Sequence, residues 1–579
     1  MCGIFYYEAI GLGKRISTTL LHALQQNFAK MCHRGPDNSR FVVAGQRCMG
    51  FHRLAINGLT PAGDQPFDLL GCELVCNGEI YNHRALIEKH GLTCVGGSDC
   101  EVIVHLYQLF GGNMCATLRE LDGVFSLVLI DRERDLVHVA RDPFGVRSLY
   151  IGSSSDYERD ISVASEMKAL QHCGHVEQFP GGCCMTLSKQ CDGDGDNATN
   201  RFASHLQPYY KCLRLDETQE VPYIYNFGTA SLDDVTSSPA ALEASACASV
   251  RTLFESAVRK RLMSERPVGC LLSGGLDSSI VTALVVEAQA QAPGAVVDTY
   301  AIGLEGSVDL KWARRVSEHL GTRHHEVCLT EQQFLDAIDA TVYQIESYDT
   351  TTVRASVGNY LVSKYIYDNT DNVVIFCGDM SDEIFGSYRG FTKAPSDHDF
   401  ARENTRMVRD VRCFDLLRSD KSISGAGLEA RVPFADKAFL ECVMSLPPWM
   451  KRFGDGAEHA VEKHLLRTAF EGLLPEDVMW RRKEAFSDGV SGHDRTWVQI
   501  IQEYANKRVS DVEIELQKFK HNAPYDKESY YYRTIFSQCF PGKGRAETIP
   551  YFWRHPFCEG VLDPSARLLK DVYAAINQG

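Results

Sequence analysis

The chain has 579 residues, too many for a single hydrophobic core, and this length predicts two to four domains. Its formal net charge of −16 argues against nucleic acids and anionic membranes as partners, because both are bound by clustered Lys and Arg side chains. The 21 cysteines form no C-x-x-C pair and no repeated spacing, which argues against a zinc site or a disulfide framework and favours the reducing cytosol.

No apolar run comes near the roughly 18 to 20 residues that cross a bilayer, so we expect no transmembrane segment. The first twenty residues also lack the ordered basic, apolar and cleavage regions of a secretory signal. Both observations agree with the expected cytosolic location.

The first part of the chain, residues 1–214, alternates short β-like runs such as CELVC and GVFSLVLID with turn signals. One amphipathic helix is indicated by five apolar residues on a single face, namely Val102, Ile103, Leu106, Leu109 and Phe110. We therefore predict a β-rich α+β domain, with antiparallel sheets, over 1–214. Polar and small residues dominate 215–246, which we predict to be a linker.

Residues 247–579 alternate strand-like runs with helical patterns. The apolar runs VGCLL, VDTYAIGL and NVVIF are separated by stretches long enough for helices. This alternation predicts an α/β domain with a parallel, doubly wound sheet, followed by a helical C-terminal part.

Cys2 follows the initiator methionine, so removal of Met1 would place a thiol and a free α-amine on one residue. Such a residue is a nucleophile with a built-in base, whose unperturbed pKa is about 8. Six further segments follow in order: CHRGPDNS (32–39), GFHRLAING (50–58), CNGEIYNH (76–83), GGSDCEVI (96–103), LDGVFSLVLID (121–131) and ARDPFGVRSLY (140–150). With Cys2, these segments resemble the class II glutamine amidotransferases, in the form fused to asparagine synthetase.

The resemblance implies that Cys2 attacks the side-chain amide of glutamine, giving a glutamyl thioester and ammonia. Asn77 and Gly78 are then the donors to the oxyanion of the acyl-transfer intermediate. Glu79 and Asp99 are expected to bind the α-ammonium of glutamine.

The resemblance also implies that Arg53 pairs with the α-carboxylate of glutamine through its planar guanidinium. One wall of the glutamine pocket is expected to consist of Arg53, Leu54, Ala55, Ile56 and Asn57.

The segment VGCLLSGGLDSS (268–279) leads from an apolar strand into a helical pattern. Ser273, Gly274 and Gly275 remove side-chain bulk at the turn, so backbone N–H groups and the helix N-terminus can hold a diphosphate. Ser278 and Ser279 add hydroxyl donors. The segment is not a Walker A loop; it resembles the pyrophosphate loop (PP-loop) of ATP pyrophosphatases, which leave an acyl-adenylate.

Further segments resemble the synthetase half of the same family: YAIGL (300–304), SYDTTTVRASVG (347–358), SDEIFGSY (381–388), GLEARVPF (427–434), KEAFSDG (483–489) and DPSAR (563–567). By this resemblance Leu271 and Ile302 border the adenine and ribose of ATP. Asp277 and Asp382 are the expected Mg²⁺ ligands, and Lys483 lies against the phosphates.

One loop departs from the family pattern S-G-E-G-S-D-E, because this chain has Cys377-Gly378-Asp379-Met380-Ser381-Asp382-Glu383. Cys377 and Gly378 are expected at the ATP, and Asp379 in the place of a catalytic glutamate. Asp379 is one methylene shorter, and a misplacement of about 1 Å can lower a rate on the order of 100-fold. Met380 stands where the family has Gly, a residue usually required for backbone conformation or close approach.

The two resemblances together imply ATP-dependent synthesis of L-asparagine from L-aspartate, with ammonia from L-glutamine and with AMP, PPi and L-glutamate as products, through β-aspartyl-AMP. They also imply ATP and Mg²⁺ as cofactors and a homodimer without nucleic-acid or membrane partners. Two alternatives stay open because of the altered loop. The enzyme could amidate a different carboxylate, or the chain could be a synthetase-impaired glutamine-binding regulatory protein.

Overall fold

The computed structural model describes the chain over 1–9, 16–154, 160–188, 206–210, 238–290, 296–454, 456–483 and 485–558. The DPSAR segment lies outside these described residues, as does most of the predicted linker. Within the described ranges, no helix combines the length and the apolar composition needed to cross a membrane.

Two six-stranded antiparallel sheets form the N-terminal part, as predicted. Their strands are β1 Gly3–Ala9, β2 Asn38–Ala44, β3 Arg47–Arg53, β4 Phe67–Leu69, β5 Cys72–Ile80, β6 Gly123–Asp131, β7 Leu136–Arg141, β8 Tyr150–Ser153, β9 Asp160–Ala164, β10 His175–Gln178, β11 Cys183–Ser188 and β12 Leu206–Pro208. The first sheet has the order β10-β8-β9-β1-β3-β2 and the second the order β12-β11-β7-β6-β5-β4.

The two sheets face each other across an apolar core and carry helices on their outer faces. Ile4 of β1 and Val128 of β6 belong to the core between the sheets. The helices of this part are Thr18–Ala29, His83–His90, Val102–Leu109 and Met114–Glu120. Phe28 packs on Phe5 of the first sheet, with 6.0 Å between ring centroids. Cys2 directly precedes β1 and packs against the core between the sheets.

The predicted amphipathic helix is present as Val102–Leu109, and its residues Ile103 and Leu106 are fully buried. Leu109 is the exception, with 52% of its surface exposed. Leu109 is the last helical residue, and the chain turns away directly after it through a pair of glycines with positive φ. The predicted apolar face is thus confirmed except at its C-terminal end.

The C-terminal part contains the predicted parallel sheet. Its strands are β13 Val268–Leu271, β14 Asp298–Leu304, β15 Arg323–Leu329, β16 Val374–Phe376 and β17 Glu429–Arg431. They pair in parallel in the order β15-β14-β13-β16-β17, so the strand order reverses between β13 and β16. Ligands of such sheets bind beyond the carboxyl ends of the strands at this switch point. The Ser-Gly-Gly loop follows β13 and the altered loop follows β16, which places both at the expected position.

Helices surround this sheet and make up most of the chain that follows it, as predicted. They are Pro239–Lys260, Leu276–Gln289, Val308–Leu320, Glu331–Asp336, Ile338–Ile345, Thr350–Asn369, Ser381–Phe385, Asp397–Asp410, Asp415–Ser424, Lys437–Ser445, His464–Ala469, Glu476–Met479, Phe486–Gly489, Trp497–Arg508, Asp511–Glu515 and Lys527–Cys539.

The helix Pro239–Lys260 begins inside the stretch 215–246 that the composition predicts to be a linker. Ser238 caps it by accepting a hydrogen bond from the Ala241 N–H, and proline occupies its first position. The small residues here are mainly alanines, which favour a helix once these caps are in place. The boundaries at 214 and 246 stay predictions.

Buried ion pairs connect the N-terminal and C-terminal parts. Arg34 donates to Oδ2 of Asp420 at 3.1 Å, and Nη2 of Arg147 lies 3.4 Å from Oε2 of Glu429. All four side chains are almost fully buried. Removing one partner from such a pair leaves an uncompensated charge, which strongly destabilises a protein. These contacts therefore fix the position of one part against the other.

Candidate functional site

Cys2 lies at the start of β1, beside the end of β3. Its Sγ accepts a hydrogen bond from the Leu54 N–H at 3.4 Å, and its carbonyl accepts one from Nε of Arg34 at 2.9 Å. Burial raises the pKa of the thiol to about 11, whereas the chain-terminal ammonium and the Leu54 N–H act in the opposite direction. The thiol is thus held in one place but needs a base to become a nucleophile.

The α-amine that could act as this base belongs to Met1 as long as Met1 is present. Met1 is fully buried, and its α-ammonium donates to the carbonyl of Leu428 at 3.1 Å. Burial lowers the pKa of this amine to about 5. Removal of Met1 would transfer the free amine to Cys2, as the predicted role of Cys2 requires.

Asn77 provides an unused hydrogen-bond donor in the middle of β5. Its side chain is 1% exposed, and its Nδ2 is buried without a hydrogen-bond partner among the residues that the structure describes. An unpaired buried donor costs about 1–3 kcal/mol. A ligand oxygen that accepts a hydrogen bond from Nδ2 of Asn77 would remove this cost. Together with the neighbouring Gly78, Asn77 can stabilise an oxyanion.

Glu79 and Asp99 are two buried carboxyl groups that lie near each other, and Glu79 also lies near the Cys2 thiol. Oε2 of Glu79 accepts a 2.7 Å hydrogen bond from Nδ2 of Asn57, and Oδ2 of Asp99 accepts one of 2.6 Å from the Ile80 N–H. Burial raises the pKa of both carboxyl groups, and the charge of Glu429 adds to the effect on Glu79. A bound ammonium group would relieve this repulsion.

Arg53 ends β3 and is almost fully buried. Its guanidinium is paired with Asp64 and donates to the carbonyl of Thr60 at 2.9 Å. The predicted pocket wall continues through three buried residues, Leu54, Ala55 and Ile56. The carbonyl of Ile56 accepts a hydrogen bond from the Glu265 N–H at 3.0 Å, which ties this wall to the C-terminal part.

A second group of predicted residues lines a cavity at the switch point of the parallel sheet. Eight of the residues predicted to bind ATP are in its wall: Leu271, Ser273, Gly275, Asp277, Ser278, Ile302, Cys377 and Gly378. Asp379, Asp382 and Lys483 line the same cavity. Gly274 and Ser279 are predicted members that do not contribute to the wall.

The glycines of the two loops allow the loops to approach each other. Gly274 has φ +71°, and a Cβ there would lie 2.3 Å from the backbone of Trp312. A Cβ on Gly378 would lie 2.7 Å from the Ser278 nitrogen. Side chains are therefore excluded at both positions. Between the loops, the hydroxyls of Ser273 and Ser278 are 3.1 Å apart.

Asp277 and Asp382 converge on a single lysine, Lys463. Nζ of Lys463 lies 2.6 Å from Oδ2 of Asp277 and 2.6 Å from Oδ1 of Asp382. Burial alone would raise the pKa of Asp382, but the ammonium groups of Lys463 and Lys483 outweigh burial and hold this pKa well below its usual range. The carboxylates of Asp277 and Asp382 offer oxygen ligands of the kind that Mg²⁺ prefers.

Lys483 approaches the same carboxylate from the other side. Its ammonium is ion-paired with Asp382 and lies 4.6 Å from the ring centre of Tyr388. Its backbone N–H donates to Glu462 at 3.0 Å. Lys463 and Lys483 are thus two of the cations in the cavity wall that can face phosphate groups.

The altered loop keeps a fixed carboxylate in the cavity. Asp379 accepts a 2.7 Å hydrogen bond from Arg418 and another from the hydroxyl of Ser419. Met380 has φ +77°, a left-handed conformation that side chains disfavour. Met380 therefore adopts, under strain, a backbone conformation that glycine would adopt freely.

Arg431 connects this loop with the predicted glutamine pocket. Its Nη2 lies 3.3 Å from Oε2 of Glu79, while its carbonyl accepts the Cys377 N–H at 3.0 Å. The segment GLEARVPF is recognisable in the sequence, but no role for Arg431 was predicted from it. Lys463 and Arg418 were not predicted either. Only the GLEARVPF resemblance offered a signal for any of these three.

The chain matches two protein families. Residues 1–180 match the glutamine amidotransferase domain, and residues 249–404 and 392–555 match asparagine synthase. The first match covers the residues around Cys2, and the second covers both loops of the cavity.

Known relatives are similar over the whole chain. Proteins named asparagine synthetase [glutamine-hydrolyzing] from Gallus gallus and Homo sapiens are each 39% identical, with 100% of this chain and 100% of the relative covered. The protein of the same name from Cricetulus griseus is 40% identical, with 98% of each chain covered. The chain therefore belongs to the family of glutamine-hydrolysing asparagine synthetases, which are ligases.

Proposed function

We propose that the chain makes L-asparagine from L-aspartate with ammonia released from L-glutamine, and that ATP is converted to AMP and PPi through β-aspartyl-AMP. The observation that carries this proposal is the presence of two intact groups of residues in one chain, one around Cys2 and one around Asp277. Buried ion pairs such as Arg34–Asp420 hold the two groups in a fixed relation.

In the first half-reaction the thiol of Cys2 attacks the amide carbon of glutamine. The C–N bond breaks, ammonia leaves with the proton of the thiol, and a glutamyl thioester remains for hydrolysis by water. Nδ2 of Asn77 and the Gly78 N–H stabilise the negative oxygen of the intermediate. The unpartnered Nδ2 of Asn77 supports this assignment.

Glutamine is oriented by charges at its α-carbon in this proposal. The carboxylates of Glu79 and Asp99 bind the α-ammonium, and burial of both groups strengthens the attraction. Arg53 binds the α-carboxylate. Because Arg53 is already paired with Asp64, binding of glutamine must share or replace that contact.

In the second half-reaction a side-chain oxygen of aspartate attacks the α-phosphorus of ATP, and PPi leaves. The PP-loop residues Ser273, Gly275 and Ser278 bind the phosphates. The ammonium groups of Lys463 and Lys483 offset their negative charge. Ammonia then attacks the carbonyl carbon of the adenylate, AMP leaves, and we place Asp379 beside the proton that the nitrogen gives up.

Asp277 and Asp382 offer the oxygen ligands that Mg²⁺ prefers, and the ion would take the place that the Lys463 ammonium holds between these two carboxylates. When bound there, the ion would neutralise charge on the phosphates. We further propose a cytosolic location, supported by the scattered cysteines, and a homodimer, supported by the family resemblance.

The experiment that tests the proposal compares two nitrogen sources in the variant Cys2→Ala. We expect glutamine-dependent synthesis to be lost and ammonia-dependent synthesis to persist, because the thiol is needed only to release ammonia. Cys328→Ala, at an exposed cysteine, is the matched control and should keep both activities. Equal loss with both nitrogen sources would contradict the two separate roles.

A further inference from the structure

A cluster of two histidines and one glutamate lies outside both sites. It consists of Glu243 on the helix Pro239–Lys260, His464 at the start of the helix His464–Ala469, and His459 in the segment that precedes this second helix. Oε1 of Glu243 lies 3.6 Å from Nε2 of His459 and 3.4 Å from Nε2 of His464. One potential ligand atom from each side chain lies within 4.8 Å of the other two.

Among the three residues of this cluster, His459 has a buried nitrogen that a ligand could pair with. Only 7% of its side chain is exposed, and its Nε2 has no hydrogen-bond partner among the residues that the structure describes. An unpaired polar nitrogen costs about 1–3 kcal/mol when it is buried. The distance of 3.6 Å between Nε2 of His459 and Oε1 of Glu243 is too long for a hydrogen bond. It does suit two atoms that bind the same ion.

We propose that Glu243, His459 and His464 bind a divalent transition-metal ion of the Zn²⁺ type. A tetrahedral ion with bonds of about 2.1 Å separates its ligand atoms by about 3.4 Å, which agrees with the two Glu243–histidine distances. Two imidazoles and one carboxylate form a recurrent protein ligand set for Zn²⁺, with water as the fourth ligand. Imidazole also disfavours Mg²⁺, so this site differs in chemistry from Asp277 and Asp382.

Binding requires one local rearrangement. The rings of His459 and His464 are stacked at 4.1 Å with an angle of 11° between their planes. The lone pairs of stacked rings lie in parallel planes, so one ring must turn before both nitrogens can face a single ion. His464 is the side chain with space to turn, because 29% of it is exposed.

The ion would bind next to Lys463, the residue whose ammonium group contacts both Asp277 and Asp382 in the ATP cavity. Lys463 directly precedes His464 and contacts Asp277 and Asp382. A metal ion bound by both His464 and Glu243 would connect the backbone next to Lys463 with the helix Pro239–Lys260. We therefore expect the metal to hold Lys463 in place at the ATP cavity. Removal of the metal should raise the KM for ATP without altering glutamine hydrolysis.

The test measures binding of Zn²⁺ to the metal-stripped full chain by titration with ZnCl₂ against a chelating dye, in excess Mg²⁺. We expect one high-affinity ion per chain. His459→Gln should weaken binding about 100-fold or more, since losing even an outer-shell partner of a metal costs about 10–100-fold. The exposed His319→Gln is the matched control and should bind as the wild type does. All three proteins have the same cysteines, so a difference reports the histidine alone.

Two further measurements make the outcome decisive if His459→Gln folds poorly. Glu243→Gln, at a partly exposed helix position, should weaken Zn²⁺ binding in the same way while circular dichroism stays native. Co²⁺ should give the visible absorption of a low-coordinate histidine site in the wild type but not in Glu243→Gln. Equal Zn²⁺ affinity in the wild type and both cluster variants would overturn the proposal, as would binding that is lost only in Asp277→Asn.

Discussion

Arg418 donates a 2.7 Å hydrogen bond to Oδ1 of Asp379, so the carboxylate that stands in for the family glutamate is held by a guanidinium. The hydroxyl of Ser419 donates a hydrogen bond to the other carboxylate oxygen, Oδ2 of Asp379. Charge-assisted hydrogen bonds of this kind fix a side chain more firmly than neutral ones. The shorter Asp379 is thus positioned by its partners, which supports amide synthesis in spite of the altered loop.

Asp379→Asn should lower asparagine formation by a factor of about 100 or more, in keeping with the usual contribution of a general base. Glutamine hydrolysis should stay nearly unchanged, because Cys2 belongs to the other site. Both activities are measured on the same preparation, with the exposed Asp397→Asn as control. Full synthesis by Asp379→Asn would contradict the role of this carboxylate.

Met380 gives a test of backbone strain. Its side chain is 1% exposed and its φ is +77°, so both Met380→Gly and Met380→Ala lose buried area but only glycine relieves the strain. We expect the glycine variant to be the more stable of the two, by about 1 kcal/mol in free energy of unfolding.

Met407 provides the matched comparison, because it is equally buried but lies in the helix Asp397–Asp410. There alanine should be the more stable replacement, by about 1 kcal/mol. Denaturant midpoints of the four variants measure both orders. The same order at both positions would reject the conformational argument for Met380.

Asp277→Asn should lower ATP-dependent PPi release about 100-fold or more, since a metal ligand near the phosphates contributes several kcal/mol to the transition state. Glutamine hydrolysis should be spared. Asp336→Asn, at an exposed helix position, is the control and should leave PPi release unchanged. Normal PPi release by Asp277→Asn would show that this carboxylate does not serve the phosphates.

The pH dependence of glutamine hydrolysis should report whether Met1 is present. With Met1 retained, the thiol pKa of about 11 leaves a thiolate fraction of only about 10⁻⁴ at pH 7. The rate of such a form should rise about tenfold per pH unit from about pH 7 to 9, because deprotonation limits the attack. Removal of Met1 supplies the Cys2 amine as a base and should make the neutral-pH rate high.

Protein produced with methionine aminopeptidase inhibited provides the Met1-retaining form, and intact-mass measurement identifies it. Ammonia-dependent synthesis should be equal in both forms and serves as the control. A preparation that retains Met1 and is fully active with glutamine at neutral pH would contradict the role of the α-amine.

Contiguous segments made most of the fold and both groups of site residues predictable. The strand before Ser273 and the helix after it are neighbours in sequence, so the PP-loop is visible in one motif. Lys463 was missed because it reaches Asp277 from 186 positions away. Arg418 was missed for the same kind of reason, since its partner Asp379 lies on a different element.

The small-residue stretch 215–246 shows a different limit of sequence reasoning. Alanine and serine are common both in linkers and in helices. Here the cap at Ser238 and the proline at position 239 favour a helix. Likewise Met380 could be recognised as unusual from the sequence, but its positive φ required the structure.

The most direct test of asparagine synthesis follows the amide nitrogen of labelled glutamine in the presence of aspartate and Mg-ATP. We expect labelled asparagine in an amount equal to the AMP and the PPi, with at least as much glutamate. Omission of aspartate should stop AMP formation but not glutamate formation. If AMP and PPi form while the label appears in another amide or only as free ammonia, the assignment to asparagine synthesis is contradicted.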